Sequence, residues 1–146
     1  MKFKDYKTCI ESAITGNICL DDADLRFSNL ANAVLDNASF NRADFTGSNL
    51  TGANISEAQL SRAIFTDGDF YNTCFADSDL SFCDFAGASF GATHIAGCNI
   101  AHAVFSTLSC FTLDFFSAKI MQGCVFKAAD NTQSAMSAPP IVIQGY

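Results

Sequence analysis

Tryptophan is absent from this sequence, and charge is thin: Asp, Glu, Lys and Arg together make up 16% of the 146 residues. What charge there is leans one way, with 15 acidic against 8 basic side chains and a net charge of −7. So few cations argue against direct binding to nucleic acid or to an anionic membrane, since both need Lys and Arg to displace counterions. A protein partner with a basic surface stays open. No run approaches the roughly 18 apolar residues of a membrane span. Lys2, Lys4 and Lys7 are not followed by the apolar core of a signal peptide. These absences read as a cytoplasmic protein. The seven cysteines include no Cys-x-x-Cys pair, and their odd number cannot complete a disulfide framework. Reduced thiols are the simplest reading, with no metal and no cofactor.

Apolar residues are plentiful at 49%, and phenylalanine alone contributes 15. Such a bias means that the fold has many equivalent sites with room for a ring. Every fifth residue from Leu20 accounts for them. The series opens Leu20, Leu25, Leu30, Leu35, Phe40 and Phe45, and every member through Ile120 is apolar. At this composition, chance would give that on the order of once in a few million trials. A second series, two residues earlier, is small: Ala23, Ser28, Ala33, Ala38, Ala43 and onward to Ala103. The positions between are rich in Asp, Asn, Ser, Thr and Gly. The unit is small-polar-large-polar-polar, as in Ala23-Asp24-Leu25-Arg26-Phe27.

A period of five matches neither the 3.6 of a helix nor the 2 of a strand. A chain that turns by about 90° every five residues satisfies it, with the large and small residues inward. Four sides close a square coil of 20 residues, and coils stack at the ~4.8 Å spacing of strands. The polar positions suit the corners. This pattern resembles the pentapeptide-repeat family, whose unit is written A(D/N)LXX. The resemblance implies an all-β, right-handed quadrilateral β-helix of about five coils, ~24 Å long.

Residues 20 apart should then stack. Leu25, Phe45, Phe65, Phe85 and Phe105 form one inner column, and Leu35, Ile55, Phe75, Ile95 and Phe115 another. The domain reading is a capping helix in residues 1–17, the β-helix over 18–126, and a polar loop with an extended tail over 127–146. Phe3, Tyr6, Ile10, Ala13 and Ile14 share one face of a helix spanning about residues 4–14, and Gly16 can end it. After Ile120 the register slips by one, so that Cys124 and Phe126 take the inner sites. Residues 127–138 read as a loop, Pro139-Pro140 ends it, and Ile141, Val142 and Ile143 read as a short strand.

No catalytic site stands out. Asn54, Cys74, His94 and Asp114 share an outward column, and a thiol, an imidazole and a carboxylate in line is what a Cys nucleophile uses. A flat face offers neither pocket nor oxyanion hole, so polar filling of outward sites is the stronger reading. Metal binding by the three groups is no stronger. Cys83, Cys98 and Cys110 fall at inner sites, where they serve as small fillers. His102 falls outward in the column of Asp22, Arg42, Arg62 and Phe82.

Acidity is the one feature with a functional precedent. Quinolone-resistance members of the family bind DNA gyrase by imitating duplex DNA. Between Ala63 and Ala118 this chain has six Asp and no Lys or Arg. Asp67, Asp69, Asp77, Asp79 and Asp84 fall within one coil, as a belt around the rod and not a stripe along it. Duplex DNA of ~24 Å would carry ~14 charges, about twice the net charge here. Outward apolar residues include Val104, Phe111, Phe116 and Met121 near the last coil. They mark an interface, either covered by the tail or joining two copies at their carboxy-terminal ends. The expected function is a non-enzymatic protein-binding module, with an acidic DNA mimic directed at an enzyme such as gyrase as the alternative.

Overall fold

Five-residue periodicity requires a corner in every unit, and the backbone makes each corner by the same device. The computed structural model describes residues 18–107, 112–128 and 136–137. In it each unit comprises one bridged residue, one inward residue, a two-residue turn and one small inward residue. The third residue of every turn from Asp22 to His102 has positive φ, including bulky ones such as Phe27 (58°) and Phe82 (59°). Positive φ there is the requirement of a type II turn. The turn closes on the preceding large residue, as where Ala43 N–H donates to Phe40 O at 3.0 Å.

Coils are joined by parallel bridges 20 residues apart, such as Asn29↔Asn49, Asn49↔Asp69 and Asp69↔Ser89. Each side contributes several bonds between coils. Leu25 N–H donates to Asp44 O (2.8 Å), Asp44 N–H to Ala23 O (2.9 Å) and Phe27 N–H to Thr46 O (2.9 Å). Backbone polarity is thereby satisfied without long strands. The longer ladder segments are short: β1 (Asp84–Phe85), β2 (Val104–Ser106), β3 (Val125–Lys127) and β4 (Met136–Ser137). The first three pair in parallel, and β4 adds antiparallel to β3.

The core is the predicted set of columns. Leu35, Phe45, Leu50, Ile55, Phe65, Phe70, Phe75 and Leu80 are fully buried. Phe65 stacks on Phe45 at 4.9 Å and on Phe85 at 4.8 Å, with ring planes within 15° and 7° of parallel. The ring spacing is the coil spacing. Phe70 meets Phe65 edge-on at 5.4 Å, so neighbouring columns interlock with the edge-to-face geometry that ring quadrupoles favour. The small series is needed because the large rings use its space. A Cβ on Gly68 would lie 2.7 Å from the Phe70 ring and 3.2 Å from Phe65 O.

The slip in register comes earlier than the sequence suggested. Ile120, placed at an inner site by strict counting, is 39% exposed and bridges to the outward residue Asn99. Phe115 still sits inside, 20 residues after Ile95. The extra residue enters at the 3-10 turn Phe115–Ser117. It is absorbed where Lys119 and Ile120 N–H both donate to Cys98 O, at 2.8 and 3.2 Å, which is a bulge. Beyond it the offset is 21, as in Phe105↔Phe126, and Cys124 and Phe126 are buried as expected. A second difference is that the stretch read as a loop contains β4. The capping helix, Phe111, Cys110 and the strand read at residues 141–143 lie outside the described residues. Among the described residues no helix is long and apolar enough to cross a membrane.

Candidate partner-binding surface

The residue before each large inner residue faces outward, and Asp or Asn there does local work. Its Oδ1 accepts the N–H two residues on. Asp69 accepts from Tyr71 (3.1 Å), Asp79 from Ser81 (3.0 Å) and Asp84 from Ala86 (2.9 Å), as Asn49 does from Thr51 (3.0 Å) and Asn99 from Ala101 (3.0 Å). These are Asx turns. They explain why the unit favours Asp or Asn at that position, a role that the sequence pattern alone did not reveal. Asp67 and Asp77 stand instead at the positive-φ corner positions (57° and 60°), which Asp tolerates better than most residues.

The five belt aspartates are therefore fold-building residues that also carry charge. The coils bring them to one level of the rod on different sides, as counted. Asp67, Asp69 and Asp77 are exposed, and Asp79 and Asp84 are half-buried. Among the described residues none of the five joins a salt bridge. The cations lie elsewhere: Arg26 pairs with Asp24 at 2.8 Å, and Arg42 is bidentate on Asp22 at 2.7 and 2.9 Å. That pairing holds Asp22 below its ordinary value.

One corner column links these charges to aromatic rings. The Arg62 guanidinium lies 4.5 Å over Phe82, and His102 stacks on Phe82 at 4.7 Å. The column ends where a Cβ on Gly123 would meet the His102 ring. It is a stabilising ladder of cation–π and stacking contacts.

The apolar set divides. Phe116 is 64% exposed, whereas Val104 is half-buried in β2. Met121 packs partly on the core, because the early slip gives it the place expected for Ile120. Phe111 lies outside the described residues. Val125 and Ile120 add to the exposed apolar surface of the same coil.

The Cys74 column is in register, with Asn54↔Cys74 and Cys74↔His94 bridged, but its side chains do not act together. Among the described residues no hydrogen bond joins Cys74 to His94, and the Asp114 carboxylate accepts from Phe116 N–H at 3.2 Å. No three ligating side chains among the described residues are placed to hold a metal.

Cys83, Cys98 and Cys124 are buried thiols. Their S–H groups donate to carbonyls of the coil before: Cys83 to Leu60 O (2.9 Å), Cys98 to Phe75 O (2.8 Å) and Cys124 to Ile100 O (2.9 Å). Thr73 and Thr93 do the same at equivalent sites, at 2.7 and 2.6 Å. Burial pushes all three thiols up, Cys98 and Cys124 to about 12. Thiols so shifted are not nucleophiles at neutral pH.

Residues 18–56 and 43–81 match the family model described as Pentapeptide repeats, in eight copies. None of the curated proteins matches. Among solved structures, the chain is similar to the pentapeptide repeat protein alr5209 from Nostoc Pcc 7120, at 23% identity over 87% of this chain and 98% of that one, with a TM-score of 0.45. It is similar to Rfr23 from the cyanobacterium Cyanothece 51142, at 14% identity over 77% and 86%, with a TM-score of 0.45. A trypsin-treated variant of QnrB1, a plasmid-mediated fluoroquinolone resistance protein, matches at 19% identity over 75% and 62%, with a TM-score of 0.44.

Proposed function

We propose that this chain, whose residues 18–56 and 43–81 match the pentapeptide-repeat model, works as a non-enzymatic protein-binding module whose partner brings a basic surface to Asp67, Asp69, Asp77, Asp79 and Asp84. The observation that carries the reading is charge without compensation. The belt carboxylates have no salt bridge among the described residues, and the sequence places no Lys or Arg between Ala63 and Ala118. Such a surface speeds and orients the encounter with a cationic partner. Among the described residues, burial raises the Cys83, Cys98 and Cys124 thiols, and no hydrogen bond joins Cys74 to His94, which supports the non-enzymatic reading. Exposed apolar surface at the last coil, including Phe116, adds a second contact region with Val104 and Met121 around it.

Five Asp→Asn substitutions test it cleanly. Asn keeps an Oδ1 for each turn and tolerates positive φ, so charge is removed and the fold kept. A protein that co-purifies with the wild type and is lost from the neutralised variant supports the proposal. The same set retained by both variants overturns it. The alternative is an acidic DNA mimic that occupies an enzyme such as DNA gyrase. It predicts inhibition of supercoiling at micromolar wild-type protein and none with the neutralised variant. No inhibition by the wild type discards it.

A further inference from the structure

The outward glycines stand in a pattern that their own backbone does not explain. Positive φ at a corner is held by Phe27, Arg62, Phe82 and Ala92 as well as by Gly47, Gly52, Gly87 and Gly97. The turn by itself therefore does not call for glycine. Gly91, which follows the inner residue Phe90, has no positive φ at all. What these glycines share is a side chain that lies against them from the coil before. A Cβ on Gly47 would stand 2.6 Å from the Phe27 ring, and one on Gly91 would stand 2.8 Å from the Tyr71 ring. On Gly52, Gly87 and Gly97 it would overlap the side-chain oxygens of Asn32, Asp67 and Asp77. Each of these partners precedes its glycine by one coil.

Gly123 follows the same rule in the shifted register. A Cβ there would overlap the ring of His102, 21 residues earlier, which is the offset of Phe105↔Phe126 beyond the bulge. Where the receiving corner carries a side chain, it stacks instead, as Phe82 does under Arg62 and His102 under Phe82.

We infer that each outward glycine is a gap fixed by the side chain one coil earlier, and that knob and gap together form an outer lock between adjacent coils. The inner columns hold the coils from within, and the locks hold them from without. The locks also set how the surface is displayed. Phe27 and Tyr71 are 76% and 58% exposed, yet each ring rests on glycine backbone and so keeps one orientation. The inference is independent of what binds the acidic belt.

A double-mutant cycle read by urea unfolding of the full chain tests this at Gly91, where no positive φ enters. In the native chain Gly91→Ala should lower the folding equilibrium constant by about fivefold or more, as overpacking does. In the Tyr71→Ala background the gap is empty. There Gly91→Ala should raise the constant by about twofold to fivefold, the gain from removing a glycine's freedom in the unfolded chain. The sign reverses only if the ring is what demands the gap. A loss undiminished by Tyr71→Ala would overturn the inference, and so would a gain in both backgrounds. Should Gly91→Ala fail to fold, recovery of folding in Gly91→Ala/Tyr71→Ala is the expected result, and a double variant that also fails to fold overturns the inference.

Discussion

The middle coils and the last coil use the same chemistry to different ends. Around Phe65 every environment is repeated above and below, so rings stack at the coil spacing and outward Asp and Asn close their own turns. At the last coil one extra residue enters at Phe115–Ser117. Positive φ, present at every corner from Asp22 to His102, is next seen among the described residues at Gly123. Outward polar residues give way to Phe116, Ile120 and Val125. A periodic solenoid stabilises itself by neighbours on both sides. The difference teaches that its terminal coil must find a substitute neighbour, and that departures from the repeat mark where contacts are made.

Core truncation should break the comparison most severely. Phe65→Ala, fully buried between two stacked rings, should cost about 4 kcal/mol in urea unfolding. Phe115→Ala, slightly exposed in the last coil, should cost about 2 to 3 kcal/mol. Equal losses would mean that the last coil is packed as tightly as the middle. A smaller effect belongs to the donors that tie small inner residues to the coil before. Thr73→Val keeps the shape but removes the bond to Leu50 O, and it should cost about 1 kcal/mol. No loss would show that this carbonyl is satisfied by its turn bond alone.

Corner strain should give an effect of the opposite sign. Ala92 holds φ of 53° without a polar side chain. Ala92→Gly should stabilise by about 0.5 kcal/mol, since relief of left-handed strain exceeds the added flexibility of the unfolded chain. Destabilisation would argue that the corner is not strained. The smallest effect concerns pH. The hydrogen-bonded Arg42 holds Asp22 below 3.8. This contribution is present above 3.8 and is lost as pH falls through the lowered folded value. For so exposed a pair the loss should be slight, and Asp22→Asn should narrow only slightly the difference between unfolding midpoints at neutral pH and below pH 3. An undiminished difference would place its origin in other carboxylates.

Legibility in the sequence followed the same division. Wherever the period held, inner residues such as Leu35, Phe75 and Cys83 could be placed by counting alone. The acidic belt was equally countable, since Asp67 to Asp84 lie within one coil length. Its structural use was not, because an Asx turn depends on a side-chain torsion that the pattern does not encode. Ile120 was misplaced for a related reason. Its apolar character fits both the inner site and an exposed edge, and only the bulge at Cys98 O distinguishes them. Met121 moved with it.

What the sequence determined by itself was the coil: a large apolar residue every fifth position leaves the chain one way to bury them all, and residues 20 apart must then meet. What only the tertiary structure decided was how coils are tied and ended. The thiol bonds to carbonyls and the antiparallel addition of Met136–Ser137 join residues outside the 20-residue register. Such contacts depend on corner geometry and on where one residue is absorbed. A repeat fixes the period of a chain, while the strain of its corners and the exposure of its last edge are settled only once the coils are closed on one another.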